Sequence, residues 1–288
     1  MSRFLDDCAA YLRANSLSVI RVSEIKDGGE PETLEFKPGN PCQNTYSVAK
    51  TFAMTGIGLL YDRGLISLDE PVCSVLADEI APYRDEIDPR WFDSTVEMAL
   101  THRLGLPGGF LDIDVNPSAL FGRDYLRYMM THPLDYAPGE GAKYSDGAFY
   151  LVSRLVEKRA GMPLDTYLWR ELFWPLGYQE MAWSRCPLGH AMGATGLYLH
   201  SSDMVKLAAL YLDGGLWHGQ RLLSEKWVEL AVTREFAWNW DAEHRMCAKG
   251  GMRGQMILFI PGARRSVAIQ SFEGAAAETA TFARDYPE

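Results

Sequence analysis

The chain opens with Ser2 followed by apolar Phe4, Leu5, Cys8, Ala9, Tyr11 and Leu12 at helical spacing, a pattern that stops near Asn15. The first element therefore reads as a helix with Ser2 as its N-cap. Residues 17–22 and 33–36 are rich in apolar and branched side chains and flank Asp27-Gly28-Gly29, which predicts two strands joined by a turn. From 47 to 63 the apolar residues Val48, Phe52, Leu59 and Leu60 recur at helical intervals and Gly64 closes the segment as a C-cap. This helix begins at or just before Ser47. Residues 65–235 are mostly helical patterns separated by Gly/Pro loops at 105–109 and 136–140. After Cys247, residues 254–260 and 266–272 read as strands joined at Pro261-Gly262, followed by an Ala-rich helical tail from Gly274. Strands at both ends and helices between predict an α+β fold in one domain, 1–288, without repeats or linkers. Its α/β lobe comes from about 1–43 and 240–288, and its helical lobe from about 44–239.

Composition narrows the function classes. The 288 residues carry 28 Lys+Arg against 38 Asp+Glu, a formal net charge of −10, and contain no dense basic run. Nucleic-acid and anionic-membrane partners are excluded on that basis, because polyanion binding rests on neutralising phosphates. Apolar stretches such as 256–260 fall far short of the ~20 residues a membrane span needs. Taking Met1 as the start, the N-terminus shows no export signal, which predicts a cytoplasmic protein. The five cysteines (Cys8, Cys42, Cys73, Cys186, Cys247) are scattered and odd in number, and read as buried reduced thiols. The six histidines show no metal-ligand spacing, so no metal and no cofactor is expected.

The chemistry points to Ser47-Val-Ala-Lys50. A serine in the first turn of a helix with a lysine three residues on puts both side chains on one face, and the positive helix end favours the alkoxide formed during attack. Ser47 as an ordinary N-cap is the competing reading. Ser23-Glu-Ile-Lys26 has the same spacing but follows the first strand, where positions i and i+3 point to opposite faces, so Ser23 and Lys26 are assigned to the surface. Burial and a second cation lower a lysine's pKa, so Lys50 calls for a partner cation or phenol. The loop 143–147 offers Tyr144. Lys249-Gly250-Gly251-Met252 offers two glycines that let backbone approach a ligand, and a main-chain N–H as half an oxyanion hole.

Ser47-x-x-Lys50, Tyr144-Ser-Asp146 and Lys249-Gly-Gly251, in that order, resemble the serine penicillin-recognising superfamily: class C β-lactamases, D-alanyl-D-alanine peptidases and related esterases. Ala99-Leu-Thr-His102, Pro138-Gly-Glu140 and Gly193-Ala-Thr-Gly196 resemble further stretches of that family, and the likeness runs over roughly residues 17–272. The resemblance implies an antiparallel sheet flanked by terminal helices beside a helical lobe. It also implies Ser47 as the acylated nucleophile, Lys50 as its proton partner and Tyr144 as second acid/base. Backbone N–H groups of Ser47 and Met252 would hold the oxyanion, and Lys249 would lie along the strand edge facing a small-molecule substrate.

Two departures shape the expectation. The second motif usually ends in Asn, and Asp146 adds a negative charge that raises the pKa of Lys50, which slows β-lactam turnover. The third motif has Gly250 where Thr or Ser is usual, losing a hydroxyl for a substrate carboxylate, and Lys249 and Arg253 compensate electrostatically. Trp238 and Trp240 are placed at the wall of an acyl pocket. The leading expectation is a serine acyl hydrolase acting on a small ester, amide or D-amino-acid peptide, with β-lactamase activity slow. The rival is a catalytically silent relative that binds a small ligand.

Overall fold

The structure, a computed structural model, describes residues 2–272 and 274–287. The elements that position the site are, in chain order, α1 (Arg3–Ala14), β1 (Arg21–Lys26), β2 (Glu32–Glu35), β3 (Gln43–Asn44), α2 (Ala49–Asp62), α3 (Asp146–Ala160), β4 (Leu197–Leu199), α4 (Ser201–Leu212), β5 (Asn239–Asp241), β6 (Met246–Gly251), β7 (Gln255–Ile260), β8 (Arg265–Gln270) and α5 (Ala276–Asp285). Ser2 caps α1 as the spacing predicts, its Oγ accepting the Leu5 N–H at 3.3 Å. At the other end of α2, the Leu65 N–H reaches Leu60 O at 2.9 Å and the Gly64 N–H reaches Tyr61 O at 3.0 Å, with Gly64 at φ 67°. That is the left-handed stop the glycine predicts.

Two compact units share the chain. The first comprises residues up to Ala49, Glu171–Ala182 and everything from Leu197 on. It is built on a six-stranded antiparallel sheet in the order β2-β1-β8-β7-β6-β5. Val22, Leu258, Val267 and Ile269 of the sheet join Phe4, Leu5, Cys8 and Leu12 of α1, and Ala276, Ala280 and Ala283 of α5, in one apolar cluster. Each large side chain so buried contributes about 1.5–3 kcal/mol. Alternation along the strand turns Ser23 to the other face, where its Oγ donates to Ser201 Oγ at 2.8 Å, at the start of α4. There α4 packs against β1, β7 and β8.

That second layer corrects two expectations. Ser23 is fully buried rather than on the surface, because α4 covers its face. The helical lobe is narrower than 44–239, since 171–182 and 197–239 group with the sheet. The apolar stripe of α4 (Met204, Val205, Leu207, Ala208, Leu210) is the pattern any half-buried helix shows, and nothing in it says whether a sheet or another helix covers it. Trp238 is likewise core, not cleft wall: it is fully buried, edge-on to Phe259 at 5.4 Å, while Trp240 is 37% exposed.

The second unit, Lys50–Arg170 with Trp183–Gly196, is helical. Here α2 and α3 come close at Gly56, where a Cβ would lie 3.2 Å from the Val156 side chain. Among the described residues no helix is long and apolar enough to cross a membrane.

Candidate active site

The segment carrying Ser47 is held by the first unit. Gln43 and Asn44 of β3 pair with Leu199 and Tyr198 of β4, and the Thr45 N–H donates to Leu197 O at 2.8 Å. Tyr46 then adopts left-handed φ 47°, its N–H donating to Asn44 Oδ1 at 2.9 Å. A tyrosine in that region costs on the order of 1–3 kcal/mol, which the surrounding bonds must over-determine. Residues Tyr46–Val48 form a 3₁₀ turn that runs directly into α2. Ser47 therefore stands in the first turn of a helical run, at the positive end of its dipole. The N-cap position falls on Thr45, so the simple capping reading of Ser47 does not hold.

The Lys249-Gly250-Gly251 motif lies inside β6, not before a strand as the sequence suggested, because glycines depress the strand signal. β5 pairs with β6 only up to Asn239↔Ala248, so its ladder stops one residue short of Lys249. Gly251 faces the nucleophile turn: a Cβ there would sit 2.4 Å from Thr45 O and 3.3 Å from Ser47 N. Only glycine permits that approach. Met252 opens a short turn in which Arg253 takes φ 60°, and both are exposed, whereas Lys249 is 6% exposed.

Lys50, Tyr144 and Asp146 come together in the second unit. Lys50 is fully buried, and its Nζ donates to Asp146 Oδ1 at 2.7 Å and to Ala194 O at 3.1 Å. It also lies 4.6 Å from the centroid of the Tyr144 ring. Tyr144 and Asp146 flank Ser145, the N-cap of α3, whose Oγ accepts the Ala148 N–H at 3.3 Å. Burial alone pulls the pKa of Lys50 down, but the Asp146 carboxylate and the Tyr144 hydroxyl outweigh it, and the net direction is up. The expectation of a lysine tuned down by a second cation is thereby reversed: the partner is a carboxylate, as Asp146 foretold.

Several neighbours were not singled out from the sequence. His102 Nδ1 accepts the Ser145 N–H at 3.3 Å, and its ring lies 4.5 Å from that of Tyr144. Asp114 accepts from the buried Thr195 hydroxyl, and its pKa is pushed up by burial and by the carboxylates of Asp146 and Asp112. His102 and Thr195 do fall in the flanking stretches that resemble the superfamily, which was the available signal. Carboxylate oxygens of Asp112, Asp114 and Asp146 lie within 4.8 Å of one another. Lys50 already supplies the cation that Asp146 needs. A second set of donor atoms, from Cys42, Glu180 and His200, lies in the first unit. Cys42 is only half-buried, unlike the other four cysteines, which are buried as expected.

Comparison with known proteins agrees with this architecture. A family model described as Beta-lactamase matches residues 42–284. The chain is 31% identical over 154 residues to lovastatin esterase of Penicillium rubens, covering 47% of this chain and 38% of that protein. It is 26% identical over 165 residues to penicillin-binding protein 4* of Bacillus subtilis, covering 53% of this chain and 33% of that one. It thus spans less than two fifths of the length of either relative. In fold it is similar to a solved structure described as a putative 6-aminohexanoate-dimer hydrolase from Bacillus anthracis, with a TM-score of 0.77 at 14% identity over 96% of this chain and 81% of that one.

Proposed function

The chain belongs to the beta-lactamase family, and from that premise we propose that it is a serine acyl hydrolase working through a Ser47 acyl-enzyme on a small ester, amide or D-amino-acid peptide. The observation that carries this reading is the nucleophile turn, where Gly251 lets the end of β6 approach within a Cβ's reach of the Ser47 N–H at the positive end of a helical run. In the proposed reaction Ser47 Oγ attacks the carbonyl carbon, and Tyr144 relays the proton: its oxygen accepts the serine proton while its own hydroxyl proton goes to the departing oxygen or nitrogen. The main-chain N–H groups of Ser47 and Met252 stabilise the oxyanion until the bond to the leaving group breaks and the acyl-enzyme forms. Water then hydrolyses the acyl-enzyme by the reverse route. Lys50, with its ammonium donating to Asp146 and Ala194 O, serves as a fixed positive charge rather than as the base.

Support for an ester as substrate comes from the relative named as an esterase. The charged Asp146 in place of the usual Asn supports slow turnover of β-lactams. The reading is tested by incubating the protein with a fluorophosphonate and, separately, a fluorescent penicillin, then measuring intact mass for wild type and Ser47→Ala. One adduct on wild type and none on the variant is expected. No adduct on wild type with either probe overturns the acyl-enzyme and leaves a silent, ligand-binding member of the family. Rates on p-nitrophenyl esters, nitrocefin and D-Ala-terminated peptides then rank the substrate classes.

A further inference from the structure

The antiparallel register that holds the nucleophile turn has a second effect at its other end. With Gln43 opposite Leu199 and Asn44 opposite Tyr198, one further step brings Cys42 opposite His200, the residue that leads into α4. Glu180, from a separate stretch of the same unit, completes a cluster: its Oε1 lies 2.7 Å from His200 Nε2. The Cys42 Sγ, one carboxylate oxygen and one ring nitrogen all lie within 4.8 Å of one another.

We propose that Cys42, Glu180 and His200 form a binding site for a divalent transition metal of the zinc type. The donor set decides the class: a thiolate, an imidazole and a carboxylate suit zinc and its neighbours, whereas magnesium and calcium demand oxygen alone. The geometry fits a tetrahedral ion. Zinc–ligand distances of about 2.0–2.3 Å place the donors about 3.3–3.6 Å apart, so side-chain rotations of roughly 1 Å close the site. The Glu180 and His200 side chains are 60% and 28% exposed, which gives them that freedom and gives the ion an entry path and a water for its fourth position. On binding, the metal takes the place of the proton held between His200 and Glu180 and of the Cys42 thiol proton, and both protons are released to solvent. Sequence spacing hides such a site because the three ligands come from three distant stretches. Once filled, it clips the entry of β3, four residues before Tyr46, to the start of α4.

The proposal is independent of the hydrolase reading, and its test does not use activity. Metal-free protein is titrated with cobalt(II) alone and then with zinc(II) alone. Wild type is expected to bind one cobalt ion with a near-ultraviolet thiolate-to-cobalt charge-transfer band, which zinc abolishes by displacement, and zinc is expected to raise Tm. Because Cys8, Cys73, Cys186 and Cys247 are buried, the band reports on Cys42. Cys42→Ser, checked for folding by circular dichroism, loses the band completely. His200→Ala and Glu180→Gln weaken zinc binding by at least the roughly 10-fold that loss of even an outer-shell partner costs. No charge-transfer band in wild type, a band that persists in Cys42→Ser, or unchanged zinc affinity in His200→Ala overturns the assignment.

Discussion

Asp146 is the residue whose identity changes the chemistry most. Its carboxylate sits 2.7 Å from a fully buried ammonium, and desolvating both groups is tolerable only because they meet. Asp146→Ala therefore leaves a buried charge uncompensated, and a loss of about 3–5 kcal/mol is expected in denaturant unfolding at neutral pH. Asp146→Asn keeps an acceptor but removes the negative charge, so the pKa of Lys50 falls. Because Lys50 is raised above its ordinary 10.5 in the folded protein, the stabilisation by the pair is complete below that pH and disappears only as pH climbs through the raised value. In Asp146→Asn that stabilisation is reduced across the neutral range, and the alkaline limb of kcat/KM moves to lower pH. A pH–rate profile on an ester substrate checks this. An alkaline limb that stays in place would show that Asp146 does not hold the charge on Lys50.

Strand β6 and the turn Tyr46–Val48 act as one device at the scale of elements. The strand must end in a residue without a side chain, since a Cβ on Gly251 would lie 2.4 Å from Thr45 O. Gly251→Ala forces the strand end away from the turn. An overpacking cost of about 1–3 kcal/mol is expected in thermal melts. A fall in kcat of about 10²–10³ with little change in KM is expected if the Ser47 and Met252 N–H groups stabilise the oxyanion. A variant that melts earlier but keeps its kcat would separate the packing role of Gly251 from the catalytic one. Helix α3 makes the complementary contribution in its own unit, because the cap at Ser145 fixes Tyr144 and Asp146 on either side of it, and His102 anchors the cap's own N–H.

At the scale of the whole molecule, a formal net charge of −10 surrounds a third motif that carries Lys249 and Arg253. Long-range repulsion of an anionic substrate is screened as the Debye length falls from about 30 Å at 0.01 M salt to about 8 Å at 0.15 M. The kcat/KM for a carboxylate-bearing ester is accordingly expected to rise over that range while a neutral ester stays flat. A fall for the anionic ester would mean that the local cations outweigh the global field. Both faces of the large sheet are covered, by α1 and α5 on one side and α4 on the other, so that all six residues of β8 are buried.

Much of this was legible in the chain. Caps and periodicity at Ser2 and Gly64, the hairpin that became β7 and β8, and the placing of Ser47 in the first turn of a helix all follow from interactions spanning a few residues. The order of three short motifs indicated the family. What the sequence left open were pairings between distant residues. Gly251 meets Thr45, Cys42 faces His200, and α4 covers the sheet rather than joining the helical unit. Hydrophobic period records that a face is buried but not what buries it, and a pair of glycines records that backbone comes close but not to what. Those choices were made by packing, where closing a long loop costs entropy that only the complete set of tertiary contacts repays.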